Sequence, residues 1–448
     1  MATDSIINAV NSQGAVFGVV EHFERTPPGQ TKALKDMEYL KDLPCQIYRI
    51  DFRWEEIEKE RGTYLFEKND WYVEKIKTVG GCSKVLGMIA YEPEWIKPFI
   101  DVNDVPKIKK WEEFIKRVIE RYKGKVNYWE IWNEPEEFWF RREFGNNDIE
   151  RDVPILYKVI VTASQIIRNV DPTAKILLPG FSPEVLKKNS VPYQMLERLF
   201  QMGVEKYIDA VTAHNYPFWD PPNIPALSEK EDIKVSLTDW VNMDKRADMK
   251  NLIELLKQYK IDKPIWITEF GGHNSDRNER AHALCLLRTV AICLFQGVEG
   301  MLYYEFYDYP HDEHPPSFYL MKHRNHYKTL SFRAYQEIIK ILTGTTPDHL
   351  ALEQIKLPDD IECRIFKRDK NRILCFWSNS PKEVVFEVKL NSELTELQEI
   401  SFSPIGPFIE RKSCLLNIMG QCNVLTVNLK PLEFKIFHTY PCHKAGVL

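Results

Sequence analysis

The stretch Val126-Asn-Tyr-Trp-Glu-Ile-Trp-Asn-Glu-Pro-Glu136 carries the strongest structural signal in this chain. Its apolar run, which extends to Trp132, is typical of a strand buried in a parallel sheet. The run stops at an amide, Asn133, and a carboxylic acid, Glu134, comes next, followed by a proline. The sequence therefore predicts a carboxylate at the point where a buried strand stops and a loop begins.

A second stretch, Lys263-Pro-Ile-Trp-Ile-Thr-Glu-Phe-Gly-Gly272, has the same form. Glu269 ends another apolar run, and a Gly-Gly turn follows. Two carboxylates held by strand ends are what hydrolysis of a glycosidic bond requires, because one protonates the leaving oxygen and the other attacks the sugar carbon. Asn-Glu-Pro alone is a weak signal, so the prediction of a catalytic site depends on the pair.

Apolar runs of this kind occur eight times, and amphipathic stretches with helical periodicity separate them. Eight strands that alternate with helices predict an α/β fold in which a parallel sheet closes into a (β/α)8 TIM barrel. Catalytic groups of such barrels come from the carboxyl ends of the strands, and the two glutamates end the fourth and seventh runs. The eight runs are Ala15–Val20, Gln46–Trp54, Lys84–Ala90, Val126–Trp132, Ala174–Leu178, Tyr207–Ala213, Pro264–Thr268 and Gly300–Phe306. The helical stretches are Thr31–Leu43, Asp70–Val79, Val105–Tyr122, Pro154–Asn169, Val191–Met202, Asp248–Tyr259 and Asn278–Phe295.

The pattern changes after about Ile341, where short alternating strands separated by turn residues replace the helical periodicity. We therefore predict a catalytic barrel over residues 1–340 and a smaller β-sandwich over residues 341–448. The strands expected in the second part are Ile361–Lys367, Arg372–Trp377, Glu383–Lys389, Cys422–Asn428 and Phe434–His438.

Composition excludes several classes of partner. The net charge of −5 is spread without long blocks of one sign, which argues against a nucleic-acid or anionic-membrane partner. No apolar run is long enough to cross a membrane, and the N-terminus lacks the features of a signal peptide. Nine scattered cysteines without a CxxC pair favour reduced thiols in a cytoplasmic protein, although a secreted protein without its signal peptide has the same composition. The oligomeric state stays open.

Five motifs carry a resemblance to the clan A retaining glycoside hydrolases. It covers most of residues 15–330, and the predicted sandwich is similar to that of family 39 and related members. One departure is Lys59, which stands where the clan usually has proline. The motifs are Trp132-Asn-Glu-Pro135, Thr268-Glu-Phe-Gly271, Tyr48-Arg-Ile-Asp-Phe-Arg-Trp54 with its continuation to Tyr64, Tyr91-Glu-Pro-Glu-Trp95 and His214-Asn-Tyr216.

The resemblance implies roles for the residues of these motifs. Glu134 is the expected general acid/base and Glu269 the expected nucleophile, with the two carboxyl groups about 5–5.5 Å apart. Asn133 is expected to bind the 2-hydroxyl of the sugar, and Arg49 to keep the nucleophile ionised. His214 and Tyr216 are expected to orient the nucleophile's surroundings. The aromatic surface expected beside the acid comes from Trp129, Trp132, Phe138 and Trp139.

The substrate implied by these roles is a carbohydrate, with a β-linked oligo- or polysaccharide expected, and neither a cofactor nor a metal is needed. Two functional alternatives stay open: a carbohydrate-binding protein that keeps the barrel without turnover, and a metal-dependent hydrolase. The metal-dependent alternative rests on a group of residues with no established ligand spacing: His311, Asp312, His314, His323 and His326.

Several of the candidate site residues also have structural interpretations. Arg49 could instead form an ion pair with Asp51 inside the barrel, and His214 could be a hydrogen-bonded core histidine, although the functional interpretation is favoured for both. Glu305 either binds a substrate hydroxyl or forms a structural pair. Three aromatic residues either line sugar subsites or pack the barrel mouth: Tyr91, Trp95 and Trp219.

Three long insertions follow barrel strands on the face expected to hold the site, and loops of this length are usually functional. We expect them to wall a substrate cleft. Arg141 and Arg142 in the first could meet an acidic sugar, but solvated arginines are the more common case. The insertions are Glu136–Pro154, Phe218–Met243 and Tyr307–Lys328.

Overall fold

The computed structural model describes residues 14–22, 31–97, 105–140, 145–222, 230–274, 278–307, 318–322, 325–390, 396–419 and 422–438. Within these ranges no helix combines the length and the hydropathy needed to cross a bilayer. Seven cysteines in them are free thiols, and all but Cys414 are buried.

Eight parallel strands form one sheet, which confirms the predicted barrel. Their order is β5-β4-β3-β2-β1-β8-β7-β6, and parallel bridges from Leu177 to Ala210 and from Phe181 to Ala213 join the two ends. The strands are β1 (Val16–Val20), β2 (Ile47–Arg53), β3 (Lys84–Ala90), β4 (Tyr128–Ile131), β5 (Lys175–Leu177), β6 (Val211–Asn215), β7 (Ile265–Phe270) and β8 (Val298–Tyr304).

The strands form where the sequence is apolar without interruption, because helices cover the outer face of the sheet and side chains fill its interior. Every residue of β1, β6 and β7 is buried. Close packing also explains Gly87 in β3, where a Cβ atom would lie 2.5 Å from the ring of Trp129 on β4. A side chain at that position would push the fourth strand, and the site beyond it, out of register.

The helices confirm the alternating pattern, with two corrections. The helix predicted to begin at Pro154 begins at Ile149, because the side chain of Asp148 caps the backbone N–H groups of Glu150 and Arg151. The predicted insertion Phe218–Met243 contains a helix. The helices are α1 (Thr31–Glu38), α2 (Trp54–Ile57), α3 (Glu67–Thr78), α4 (Val105–Tyr122), α5 (Ile149–Val170), α6 (Val191–Gln201), α7 (Lys230–Arg246), α8 (Lys250–Gln258), α9 (Glu279–Phe295), α10 (Leu330–Leu342) and α11 (His349–Glu353). Short 3-10 turns cover Tyr39–Asp42, Glu94–Ile96, Pro183–Leu186 and Val204–Lys206, and a π-type turn covers Glu136–Phe140.

Antiparallel sheets make up the C-terminal part, as predicted for a β-sandwich. A hairpin, β9 (Met321–Lys322) and β10 (Tyr327–Lys328), precedes them. A six-stranded sheet has the order β11-β12-β13-β19-β15-β16 and a three-stranded sheet the order β14-β18-β17. Their strands are β11 (Thr346–Pro347), β12 (Ile361–Arg368), β13 (Asn371–Ser378), β14 (Val384–Leu390), β15 (Glu396–Phe402), β16 (Ile409–Leu415), β17 (Asn417–Met419), β18 (Cys422–Leu429) and β19 (Phe434–His438).

Four of these strands, β11 and β15 to β17, were not expected from the sequence. The most polar of them is β16, Ile-Glu-Arg-Lys-Ser-Cys-Leu, which lies at the edge of its sheet, where one face is wet and little apolar surface is needed. The division into residues 1–340 and 341–448 stays a prediction, and α10 spans that boundary.

Barrel helices and C-terminal strands meet at a buried polar junction. Arg288 of α9 donates hydrogen bonds to Asn379 Oδ1 at 2.8 Å and to the carbonyl oxygen of Ser378 at 3.1 Å. Asp244 of α7 accepts a bond from the indole nitrogen of Trp377 at 3.0 Å and lies 3.4 Å from Arg288. The apolar side chains around this junction belong to the same continuous core as the barrel side chains.

Candidate active site

The two glutamates reach the barrel mouth by different local structures. Glu134 follows β4 in a turn whose residues Trp132 and Glu134 have positive φ angles of 79° and 37°. Such a backbone is costly for residues with a side chain, and it persists where the surroundings hold it in place. Here the N–H of Glu134 donates to the carbonyl oxygen of Gly180 at 2.8 Å. Glu269 lies inside β7, one residue before its end, rather than after it.

One histidine joins the two carboxylates. His214 Nδ1 lies 2.6 Å from Glu134 Oε1 and 3.6 Å from Glu269 Oε2. One atom from each of the three side chains lies within 4.8 Å of the other two. This spacing corresponds to retaining glycosidases, whose carboxyl groups are about 5–5.5 Å apart, and not to inverting ones, at about 6.5–9.5 Å.

Arg49 connects three acidic or amide side chains at the base of the site. The guanidinium, only 1% exposed, donates to Glu130 Oε2 at 2.6 Å, to Glu269 Oε1 at 2.7 Å and to Asn133 Oδ1 at 2.7 Å. The alternative in which Arg49 pairs with Asp51 is not the arrangement found. Because Arg49 binds the amide oxygen of Asn133, it fixes the orientation of that amide and makes its NH2 group the end that can donate to a ligand.

Hydrogen bonds hold both oxygens of Glu269. Arg49 holds one, and the hydroxyl of Tyr216 donates to the other at 2.7 Å. Burial by itself raises the pKa of Glu269, but the charges of His214 and Arg49 and the Tyr216 hydroxyl outweigh it and leave the pKa below its usual range. Burial, reinforced by Glu269, keeps the pKa of Tyr216 well above its usual range, so the hydroxyl stays a donor.

His214 is fully buried, and its environment favours the charged form. Burial lowers the pKa of His214, but the carboxylates of Glu269 and Glu134 outweigh burial and raise it above the usual value. The backbone of Gly180 packs against the other side of the ring, where a Cβ atom would lie 2.1 Å from His214 Nε2. Glycine at position 180 therefore leaves the space that the imidazole ring of His214 occupies.

The aromatic candidates separate into two groups. Trp219 is 51% exposed and packs edge-to-face on Tyr216, with ring centroids 5.6 Å apart, so it lies beside the hydrogen-bond partner of Glu269. Tyr91 has a φ angle of 66°. The guanidinium of Arg53 lies over the Tyr91 ring, 4.5 Å from the ring centroid. Trp95 instead donates its indole N–H to the carbonyl oxygen of Glu58 at 2.8 Å and packs on Trp54 in the wall behind. Among the described contacts, none joins Trp95 to the catalytic pair.

Glu305 directly follows β8 and is 2% exposed. The backbone of Glu305 forms two hydrogen bonds of 3.1 Å. Its N–H donates to the carbonyl oxygen of Phe318, and its carbonyl oxygen accepts from the N–H of Leu320. Burial raises the pKa of Tyr303, and the nearby carboxylate of Glu305 raises it further. Glu305 is thus buried after the eighth strand, close to a tyrosine of the core.

The expected aromatic wall beside Glu134 is wrong for three of its four rings. Phe138 is 37% exposed, and its backbone N–H donates to the carbonyl oxygen of Glu134 at 2.9 Å. Trp129, Trp132 and Trp139 are at most 2% exposed and pack in the layer between strands and helices. Trp132 stacks on Trp139 with ring centroids 3.9 Å apart and contacts Trp111 of α4 at 5.9 Å. The turn at residue 132 directs the indole outward to the helices, so these rings form core and not cleft surface.

Sequence reasoning missed Glu130 and the residues that accompany it. This carboxylate is completely buried; besides Arg49, it receives a hydrogen bond from Thr268 Oγ1 at 2.7 Å. Its signal was present, since a glutamate within an apolar strand must find a cation. His22 and Asp51, both buried, also lie near the site, with Nδ1 and Oδ2 3.7 Å apart.

A cleft with a volume of about 890 Å³ opens beside Glu134. Residues after β5, after β6 and at the junction of α7 and α8 line it, among them Tyr216 and Trp219. Glu134 lines this cleft and Glu269 does not, so the cleft lies on the side of the acid.

One residue of the metal hypothesis, His326, lies within the described ranges. In these ranges the single group of three or more potential ligands is Glu134, His214 and Glu269. His326 is not part of it: it stacks on Tyr39 and lies 3.8 Å from Asp36. Six residues of the sequence hypotheses lie outside the described residues: Arg141, Arg142, His311, Asp312, His314 and His323.

Comparisons with known proteins agree with this geometry. The sequence model of glycosyl hydrolase family 10 matches residues 42–258, which include the second to sixth strands and Glu134. A family 39 glycoside hydrolase from Bacteroides cellulosilyticus WH2 has a similar fold, with a TM-score of 0.66 and 18% identity over 95% of this chain and 81% of that one.

Two xylanases also have similar folds. A family 30 endoxylanase from Clostridium papyrosolvens C71 has a TM-score of 0.62 and 11% identity over 95% of this chain and 96% of that one. Xylanase 10B from Thermotoga petrophila RKU-1, solved with xylobiose, has a TM-score of 0.52 and 18% identity over 73% and 95% of the two chains.

The barrel, the sequence match over residues 42–258 and the carboxylate spacing together indicate a glycoside hydrolase that resembles the enzymes of clan A. The chain is a retaining enzyme that hydrolyses O-glycosyl bonds, and its substrate is a carbohydrate.

Proposed function

We propose that this enzyme cleaves β-linked oligo- or polysaccharides by double displacement, with Glu134 as general acid/base and Glu269 as nucleophile. The observation that carries the proposal is the spacing of the two carboxylates, since an oxygen of Glu134 lies within 4.8 Å of an oxygen of Glu269. At that distance no water fits between carboxylate and anomeric carbon, so the carboxylate itself must attack.

In the first step, an oxygen of Glu269 forms a bond to the anomeric carbon while the bond to the leaving oxygen breaks. Glu134 transfers its proton to that oxygen. The lowered pKa of Glu269 keeps the nucleophile ionised at neutral pH. The cleft beside Glu134 receives the leaving group, because the proton donor must face the departing oxygen.

In the second step, a water attacks the anomeric carbon, Glu134 accepts the water's proton and Glu269 departs as a carboxylate. The switch from acid to base has an electrostatic cause. Glycosylation removes the negative charge of Glu269, and a neighbouring negative charge is what favoured the protonated acid. Two inversions leave the anomeric configuration unchanged.

The neighbouring residues take positioning and binding roles in this proposal. Arg49 and Tyr216 fix the nucleophile, and the amide of Asn133 donates to the 2-hydroxyl, a bond that strengthens in the oxocarbenium-like transition state. His214 holds the acid/base at 2.6 Å. We assign substrate contacts at the rim to Trp219, Tyr91 and Glu305, and a supporting role in the wall to Trp95.

The cleft volume of about 890 Å³ and the half-exposed Trp219 favour a substrate of several sugar units. Two proteins of similar fold are described as xylanases, and we therefore place β-linked xylose oligomers first in a substrate panel. We also propose a cytoplasmic location, supported by the seven free thiols among the described cysteines.

Proton NMR of the first-formed anomer tests the mechanism directly. The wild-type enzyme should release the anomer with retained configuration, observed before mutarotation. Glu269→Ala should lose turnover by several orders of magnitude, and added azide should restore product with the opposite configuration. Glu254→Ala, on an exposed face of α8, is the matched control. Initial release of the inverted anomer by the wild type would exclude double displacement.

A further inference from the structure

A second carboxyl group is buried two residues after Glu134. Glu136 is 1% exposed and begins the π-type turn Glu136–Phe140. Its Oε1 accepts a hydrogen bond from the backbone N–H of Ser182 at 2.8 Å. Within the described residues its Oε2 has no hydrogen-bond partner. A buried, half-satisfied carboxyl group is costly, so its position beside the acid/base requires an explanation.

Glu136 belongs to a three-point connection between two segments. The N–H of Glu134 binds the carbonyl oxygen of Gly180, Asn133 forms a β-bridge to Gly180, and Glu136 binds Ser182. The same Gly180 packs against the ring of His214, the hydrogen-bond partner of Glu134. Movement of Glu136 would therefore displace the acid/base turn and its partner together.

The charges around Glu136 are negative. Glu134 and Glu137 lie on its own turn, and Glu184 lies on the segment after β5, where it pairs with Lys187 at 2.5 Å. Burial first, and then the charge of Glu134, raise the pKa of Glu136 to about 7, and the hydrogen bonds from Ser182 offset only part of this. Glu136 also lines a surface cavity of about 270 Å³, a route by which its proton can exchange with solvent.

We propose that Glu136 is a positioning residue for Glu134: its carboxyl group fixes the acid/base turn on the Gly180–Ser182 segment. The inference rests on the proposed role of Glu134 as acid. A turn held at three points keeps the proton donor aimed at the leaving oxygen, and general acid catalysis depends on that geometry.

The test is kcat/KM for Glu136→Ala, which removes the acceptor for Ser182. With an aryl glycoside of poor leaving ability, we expect a loss of about 10–100-fold, because a misplaced acid protonates the leaving oxygen poorly. With a dinitrophenyl glycoside, which needs no acid, kcat/KM should change little. Glu136→Gln, which keeps the shape and an acceptor for Ser182, should restore most of the activity on the poor leaving group. Glu150→Ala, at an exposed glutamate on α5, is the control.

Two outcomes would overturn the inference. One is an unchanged kcat/KM of Glu136→Ala with the poor leaving group, and the other is the same loss with both leaving groups, which indicates a general structural effect. Glu134→Ala measured with the same two substrates separates this failure from a failure of the proposed function. If that variant shows no dependence on the leaving group, the acid role itself is wrong; if it does, only the role of Glu136 is refuted.

Discussion

Arg49 offers the sharpest test of how the site works, because it reacts with nothing and touches three groups. Arg49→Ala removes the donors to Glu130, Glu269 and Asn133 and leaves two buried carboxylates without their cation. We expect lower activity together with a changed pH dependence. The pKa of Glu269 should rise, since Arg49 is one of the three charges that lower it, with His214 and His22.

The size of the effect follows from the contacts. A hydrogen bond to a charged group contributes about 1.5–3 kcal/mol, so losing those to Glu269 and Asn133 corresponds to about 3–6 kcal/mol, or roughly 10²–10⁴ in kcat/KM. Stability should also fall, because breaking a buried ion pair costs about 3–5 kcal/mol. The lowered pKa of Glu269 stabilises the fold above the pKa of an unfolded glutamate, and this contribution disappears as the pH falls through the folded value. In Arg49→Ala, the decrease of the free energy of unfolding that the titration of Glu269 causes at acid pH should be smaller.

The assay is kcat/KM for an aryl glycoside from pH 4 to 9, with thermal unfolding measured at each pH. The acidic limb of Arg49→Ala should move to higher pH. Arg49→Lys keeps the charge but not the planar fork of the guanidinium, so its kcat/KM should lie between those of Arg49→Ala and the wild type. Arg168→Ala removes a partly exposed ion pair with Asp209 and serves as control. A folded Arg49→Ala protein whose acidic limb is unchanged would show that Arg49 does not keep the nucleophile ionised.

Three further predictions concern the acid, its surroundings and the metal alternative. Glu134→Ala should lose most activity on substrates with poor leaving groups, whereas activated aryl glycosides should glycosylate the enzyme and then stall; intact mass should show the glycosyl-enzyme, and equal losses for both leaving groups would count against the assignment. Gly180→Ala places a Cβ atom 2.1 Å from His214 Nε2, so the free energy of unfolding should fall by about 1–3 kcal/mol, with a loss of kcat/KM; wild-type values in both would mean that the ring has room to move. Activity should survive dialysis against EDTA, and its loss with recovery on adding a metal would revive the metal-dependent hydrolase.

The barrel could be predicted because its strands are buried on both faces and therefore apolar along their whole length. All eight strands lie within a few residues of the expected positions. The limits appear where this condition fails. The strand Glu396–Phe402 contains Glu399, whose carboxylate lies 2.7 Å from the ammonium group of Lys435. Long-range pairing of this kind compensates for a charge in a strand, and a local pattern does not show it.

The site shows the same division between local and distant information. The motifs identified Glu134, Glu269 and Arg49 because each stands beside apolar or turn residues that mark a strand. They did not identify Glu130 as the partner of Arg49, since the two are 81 residues apart and meet only when β2 and β4 come together. The expected aromatic wall failed for a related reason. The direction of Trp132 depends on a positive φ angle that composition does not reveal.

The junction at Arg288 has a practical consequence for anyone who wishes to dissect this enzyme. Cutting the chain before the C-terminal sheets would leave Arg288 and Asp244 without Asn379 and Trp377, and would expose the apolar surface that the two parts share. The barrel is thus not a detachable module, and exchanging the C-terminal sheets for those of another enzyme would require transplanting this contact set as well. Because one face of the six-stranded sheet belongs to the barrel's core, heat or denaturant should melt both parts in a single transition, with coincident midpoints for probes placed on either side.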